Sequence, residues 1–370
     1  MASLERKIQE EWEKYQKENQ NSTYPNILLL GISGAGKSSL INTIFGRKIA
    51  NVSDVRPETA NFEVYKGQDY NLNVNLIDSA GYELSQADTY YSNIQNILNN
   101  GTGDLKNIHI IWYCLSVANE RIEDMDLKTL ERLFKEDSIK QRVCIVFTKC
   151  DQDDETGSKA NKLKDIIKKE VRHNFKCFET SNNPAFPLQL NDMVEWSAKQ
   201  FDDDDLRNMF VASQMIDMEA KERAAANIIN IAAAAASTAG ATPIPIADAA
   251  LLVPIQLKMI NDIINVYGLK KVISMNSGVV VDLVMTQLGK SLVKSIMKFI
   301  PVIGQIAGSV INAIVAGSLT YALGMAVSYV CKDSLIKALK GEPVIWENIF
   351  DLEQLLPLIK EFENKKNDNK

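Results

Sequence analysis

The sequence predicts an α/β domain with a mostly parallel sheet, followed by an all-α domain. Three observations carry that expectation. Between Asn26 and about Phe210, short apolar runs (NILLLG, FEVYK, NLNVNLID, IHIIWYCLS, RVCIVFTK and DMVEWS) alternate with helical patterns, as strands joined by crossover helices do. After about Met209, charges thin out, alanine rises and strand-like alternation stops. With 370 residues, 46% of them apolar and 24% charged, the chain is long enough for two cores and has a globular composition.

Taken in order, residues 3–20 read as an amphipathic helix, with Leu4, Ile8, Trp12 and Tyr15 on one stripe. Asn21-Ser-Thr and Pro25 end it. The expected organisation is an N-terminal helix within 1–24, an α/β domain over 25–210, a helical domain over 211–364 and a solvated tail over 365–370. Within the helical half, 211–239 has helical propensity, ATPIPIAD is a proline-punctuated turn, LLVPIQLKMINDIINVYG resumes helix, and 344–364 is amphipathic. The Trp12 stripe is expected to pack on the helical domain.

A net charge of −6 argues against broad contact with RNA or DNA phosphates, which needs a concentrated basic face. Five cysteines (Cys114, Cys144, Cys150, Cys177, Cys331) form no CxxC pair, and with two histidines (His109, His173) they offer little for a zinc site. Reduced, mostly buried thiols are the expectation. The start MASLERKIQEEWEKYQ has no apolar signal core and no Met-Gly for myristoylation, so a cytoplasmic protein is expected, peripheral at the membrane under one reading below. Phe201-Asp-Asp-Asp-Asp205 reads as acidic residues at a helix N-terminus, where the dipole favours them.

The chemistry concentrates at strand ends. Gly31-Ile-Ser-Gly-Ala-Gly-Lys-Ser38 fits GxxxxGK[ST], follows the apolar strand NILLL and opens the helical pattern SLINTIF. Backbone N–H groups over Gly31, Ser33, Gly34, Ala35, Gly36 and Ser39 can curl around phosphates at a helix N-terminus. Lys37 would reach the β- and γ-phosphates, and the Ser38 hydroxyl would ligate Mg²⁺. In RPETANFEVYK, Thr59 precedes an edge-strand pattern, where a threonine can close on Mg²⁺ and the γ-phosphate. Asp78, ending the strand NLNVNLI, can hold the metal, and the Gly81 amide can bond the γ-phosphate. Thr148-Lys-Cys-Asp151 follows RVCIVF: the Asp151 carboxylate can accept from guanine N1–H and N2–H₂, and Lys149 can lay its stem across the base. Ser197-Ala198-Lys199, placed after DMVEWS as a strand, would offer an amide to guanine O6. The set specifies a guanine nucleotide site.

These five segments, over about residues 26–200, resemble a translation-factor-class (TRAFAC) P-loop GTPase of the Era-like type. WYCLSVANERIEDMD adds to the resemblance with its acidic, helix-starting stretch. The resemblance implies a Ras-like G domain, GTP/GDP and Mg²⁺ as ligands, and slow intrinsic GTP hydrolysis accelerated by a partner or by self-association. It assigns Lys37, Thr59 and Gly81 to catalysis and Ser38, Thr59 and Asp78 to the metal. Tyr82 occupies the slot where many such enzymes keep a glutamine, so the attacking water must be placed by backbone, by the loop around Thr59 or by another molecule. The C-terminal half, in AAAASTAGATPIPIADAALLVPIQLKMINDIINVYG and FIPVIGQIAG, resembles an uncharacterised helical domain found behind bacterial G domains. The overall layout is similar to that of immunity-related, dynamin-like GTPases.

The run from Phe299 to Cys331 carries no charge and exceeds the roughly 20 residues that span a bilayer. Pro301, Gln305, Asn312 and a scarcity of leucine favour helices buried in a soluble bundle; Gly304 and Gly308 allow close helix approach in either solvent. The alternative is a hairpin that releases its apolar face onto a membrane or a second copy when GTP binds. The leading functional expectation is a GTP-hydrolysing switch controlling the helical domain. The others are a self-assembling, membrane-associated GTPase and a ribosome-assembly GTPase, the last disfavoured by the acidic balance.

Overall fold

The computed structural model describes Glu10 and residues 24–46, 49–50, 62–70, 72–79, 87–100, 107–137, 140–183, 185–240, 252–269, 308–340 and 342–368. The expected N-terminal helix, Thr59, Gly81, Tyr82, the ATPIPIAD turn and the Gly304 end of the GxxxG pair lie outside these. The chain divides into two compact units, one over Tyr24–Asp217 and one taking the chain from Met218 onward.

The first unit is a Ras-like α/β fold. Its strands are β1 (Asn26–Leu30), β2 (Phe62–Tyr65), β3 (Asn75–Ser79), β4 (Ile108–Ser116), β5 (Val143–Thr148) and β6 (Lys176–Glu179), in sheet order β2-β3-β1-β4-β5-β6. All pairings are parallel except β2 with β3. β1, β3 and β5 are buried at every position, as strands covered on both faces must be. The helices are α1 (Lys37–Phe45), α2 (Ala87–Asn100), α3 (Asp124–Lys135), α4 (Ser158–Val171), α5 (Leu190–Lys199) and α6 (Asp204–Ser213).

Alternation along β4 shows how the faces are covered. Tyr113 joins the core formed with α2, α3 and α4, and its hydroxyl donates to Asp126 at 2.7 Å. Trp112 points the other way, stacking on Phe45 of α1 and edge-on to Phe210 of α6. Asp126 also closes a capping box with Glu123, which fixes the start of α3. The acidic run does cap a helix: the Asp203 carboxylate accepts from the Asp205 and Leu206 amides at the start of α6.

Two expectations are corrected here. DMVEWS is not a strand but lies inside α5, because Leu190, Met193, Val194, Ser197 and Ala198 recur at helical spacing and are the buried face. The sixth strand is instead Lys176–Glu179, a four-residue edge strand too short and too polar to stand out as an apolar run. The NLNVNLID strand also starts later than its apolar alternation suggests, at Asn75.

The second unit is helical: α7 (Met218–Gly240), α8 (Leu252–Val266), α9 (Gly308–Leu339) and α10 (Leu352–Asp368). α9 packs against α7, α8 and α10. A Cβ at Gly324 would stand 2.7 Å from Ile229 Cγ1, so the absent side chain is what admits α7 at that crossing. Lys221 is fully buried on α7, and its ammonium donates to the Val266 carbonyl at 2.9 Å, placing a positive charge at the C-terminus of α8. By length and composition Ala313–Leu339 could cross a membrane, yet 72% of its most apolar window is buried inside the protein. Cys114, Cys144, Cys150 and Cys331 are buried, Cys177 is half-buried, and all five thiols are free.

Candidate functional site

The site forms where the sheet order reverses. β1 has β3 on one side and β4 on the other, and the crevice beyond the carboxyl ends of such strands is where open α/β sheets take ligands. β1 delivers the chain to Gly31, whose φ of 135° brings its backbone against β4: a Cβ there would meet the Cys114 carbonyl oxygen at 2.3 Å. The turn through Ser33 and Gly34 is exposed, Ala35 is buried, and Gly36 takes φ 86° as the N-cap of α1. No side chain caps that helix and no acidic residue sits in its first turn. Its leading N–H groups are therefore available to an anion, which the helix dipole favours.

Lys37, 6% exposed, donates to the Gly31 and Ile32 carbonyls at 2.9 and 3.2 Å and lies 3.9 Å from Asp78 Oδ1. The Ser38 hydroxyl donates to Asp78 Oδ2 at 3.1 Å. Burial pushes the Asp78 carboxyl up to about 6, held back by the Lys37 charge and the Ser38 hydrogen bond. Oδ1 of Asp78 is buried without a hydrogen-bond partner among the described residues. An orphaned carboxylate oxygen beside a hydroxyl is a hard oxygen donor set, and it fits Mg²⁺. No metal-holding group of three or more His, Cys, Asp or Glu occurs among the described residues.

β5 closes the other side. The Thr148 hydroxyl donates to the Ala35 carbonyl at 2.7 Å, and its side chain packs where a Gly36 Cβ would be, 3.1 Å away. Lys149 then takes the left-handed region at φ 57°, turning its side chain back so that Nζ donates to the Gly34 carbonyl at 3.0 Å. Asp151 follows in a turn of 3₁₀ helix and is exposed. Thr148 and Lys149 are thus drawn to the phosphate loop.

Ser197, Ala198 and Lys199 are not. They sit within α5, where their amides serve the helix; Ser197 is fully buried and accepts from Trp112 Nε1 at 3.0 Å. A helical interior has no amide to offer a base. The segment standing beside TKCD is the end of β6. The Cys150 amide donates to the Thr180 carbonyl at 3.1 Å, and both the amide and the hydroxyl of Thr180 donate to the Phe147 carbonyl. The next residues are Ser181 and Asn182, and Asn182 Oδ1 accepts from Thr43 of α1 at 3.1 Å. The sequence clue was TSNN following KCFE, a short polar loop after a weak strand.

Residues 26–149 match the family of 50S ribosome-binding GTPases, and residues 202–349 match a domain of unknown function (DUF697). The probable GTP-binding protein EngB of Campylobacter jejuni is 29% identical over 163 residues, covering 40% of this chain and 79% of EngB. Magnetosome membrane protein 22 of Magnetospirillum gryphiswaldense is 32% identical over 112 residues, 29% of this chain and 57% of that protein. Among solved structures, Toc33 from Arabidopsis thaliana in complex with Mg²⁺ and GMPPNP is 17% identical, with a TM-score of 0.36, over 55% of this chain and 92% of Toc33. The chain carries a P-loop GTPase G domain followed by a helical domain of the DUF697 type.

Proposed function

We propose that the protein binds and hydrolyses GTP and that its nucleotide state controls the helical domain. The observation carrying this reading is the half-buried hydrogen bond from Ser38, in the first turn of a helix with no side-chain cap, to Asp78, whose other carboxylate oxygen is buried without a hydrogen-bond partner among the described residues. Backbone N–H groups of Ser33 to Ser39 and the Lys37 ammonium would hold the phosphates. Ser38 and Asp78, with Thr59, would hold Mg²⁺, which when bound supplies positive charge against the β- and γ-phosphates. Asp151 would read the guanine edge, Lys149 would cover its face, and the loop at Thr180–Asn182 takes the place first given to Ser197–Lys199. Lys37, Thr59 and the Gly81 amide would stabilise charge on the third phosphate. With tyrosine at position 82, the attacking water is placed by another group.

Asp151→Asn tests the base assignment. It replaces an acceptor with a group that can donate, so affinity for GTP should fall at least about tenfold while xanthine nucleotide gains. Lys199→Ala, inside α5, should leave GTP affinity unchanged. Unaltered GTP binding by the Asp151 variant in a fluorescence titration would sink the guanine assignment.

A second reading is a self-assembling GTPase at a membrane surface. It draws on the length and apolar character of Ala313–Leu339 and on the similarity to a protein named for the magnetosome membrane. It requires turnover per molecule to rise with protein concentration or with added liposomes. A flat response to both removes it.

A further inference from the structure

The hydroxyl of Tyr90 on α2 accepts a hydrogen bond from the Gly31 amide at 3.2 Å and donates one to Ser79 Oγ at 3.3 Å. Three segments meet at this oxygen: the opening of the phosphate loop, the end of β3 and the helix α2. Tyr90 is 5% exposed and Ser79 1% exposed, so the contacts are shielded from water. Ser79 directly follows Asp78, which itself holds Ser38. The polar chain therefore runs from α2 through Tyr90 to both walls of the phosphate site.

Tyr90 and Ile94, one turn apart on α2, share a face and enter the same core. Ile94 is fully buried in the core shared with α3 and α4, and the Arg132 guanidinium of α3 lies 4.2 Å over the Tyr91 ring. Apolar packing would accept phenylalanine at position 90 as readily as tyrosine. Only the hydroxyl satisfies the Gly31 amide and grips Ser79, so the hydroxyl is the group with a specific task.

We propose that Tyr90 is a positioning residue: it couples α2 to the phosphate loop and to the Asp78–Ser79 end of β3, so that occupancy of the third-phosphate side of the site is felt by α2. The inference rests on the nucleotide reading above. A diphosphate engages the phosphate loop, whereas a triphosphate also engages the groups gathered at Asp78. A contact that fixes Ser79 against Gly31 therefore acts on the triphosphate more than on the diphosphate. Two ligands can bias a conformational element differently only through such a difference in binding.

The experiment titrates fluorescent GDP and GMPPNP, each with Mg²⁺, against the full chain and its Tyr90→Phe, Ser79→Ala and doubly substituted forms. Tyr90→Phe should lower the preference for GMPPNP over GDP by about fivefold, the scale of one hydrogen bond's net worth. Ser79→Ala should do likewise and carries the test alone if Tyr90→Phe does not fold. The double variant should be no worse than the more affected single variant, since both remove one link. Equal loss of both affinities, the mark of a merely structural role, overturns the coupling, and so does an unchanged ratio. A parent chain that binds neither nucleotide overturns the nucleotide reading and this inference together.

Discussion

In the G domain the closest approach is backbone against backbone; in the helical domain it is backbone against side chain. Gly31 sits at φ 135° with the Cys114 carbonyl oxygen 2.3 Å from where a Cβ would be. Gly324 is an ordinary helical residue whose absent Cβ would meet Ile229 Cγ1 at 2.7 Å and Met259 Sδ at 2.9 Å. Main chain in a central sheet cannot move aside without breaking the ladder, while isoleucine and methionine side chains can turn. The difference separates a region whose shape is set by a ligand-binding loop from one whose shape is set by helix packing.

Gly31→Ala probes the unforgiving side. It combines a left-half backbone angle that alanine resists with a clash against an immobile carbonyl. Each of these costs roughly 1–3 kcal/mol, so the combined loss should be about 2–6 kcal/mol. In a thermal melt the G domain transition should drop or vanish and GTP binding should go with it. An alanine variant that melts and binds like the parent would show that the β1–β4 approach is softer than its geometry says.

Gly324→Ala probes the other side and should cost less. Overpacking at about 1–3 kcal/mol is offset by about 1 kcal/mol of helix propensity gained, leaving a net loss near 1 kcal/mol. GTP affinity should stay within twofold of the parent. A loss as large as that at Gly31 would mean the helical domain packs as rigidly as the sheet, and the contrast between the two regions would fail.

The same contrast explains what the sequence disclosed. Gly31–Ser38, Asp78 and Thr148–Asp151 stand out in the sequence because phosphate, metal and base would each demand particular residue types at strand ends, and those types survive without knowledge of packing. DMVEWS misled because six residues are too few to separate a period of 2 from one of 3.6; extending to Leu190 would have given the helical spacing. KCFE was missed because an edge strand needs no continuous apolar run. With the strand misplaced, Ser197–Lys199 is expected in the role that we propose for the loop at Thr180–Asn182, which is the segment beside TKCD. Tyr90 carried no pattern at all, since one tyrosine in a helix reads as core until its hydroxyl is located. In the helical domain the stretch read as helical over 211–239 is broken between α6 and α7, the stretch read over 344–364 becomes α10 only from Leu352, and nothing in Gly324 says which helix it admits.

The smallest expected effect lies at Glu363 on α10, a carboxylate only 9% exposed. Burial raises its pKa above the ordinary glutamate value of 4.5. The folded protein therefore binds this proton more tightly than the unfolded chain does. Stability from this group is present below 4.5 and is lost as pH rises through the raised folded value, because ionising the buried carboxyl opposes folding. Glu363→Gln removes that penalty. At neutral pH the helical domain should gain about 0.5 kcal/mol, and below pH 4.5 the gain should disappear. Since the group sits far in sequence from every residue of the phosphate site, GTP affinity should not follow the change at either pH. Urea unfolding of parent and variant across that range checks the sign: a variant less stable at neutral pH would mean that Glu363 is held as a charged group by its surroundings rather than tolerated as a buried one.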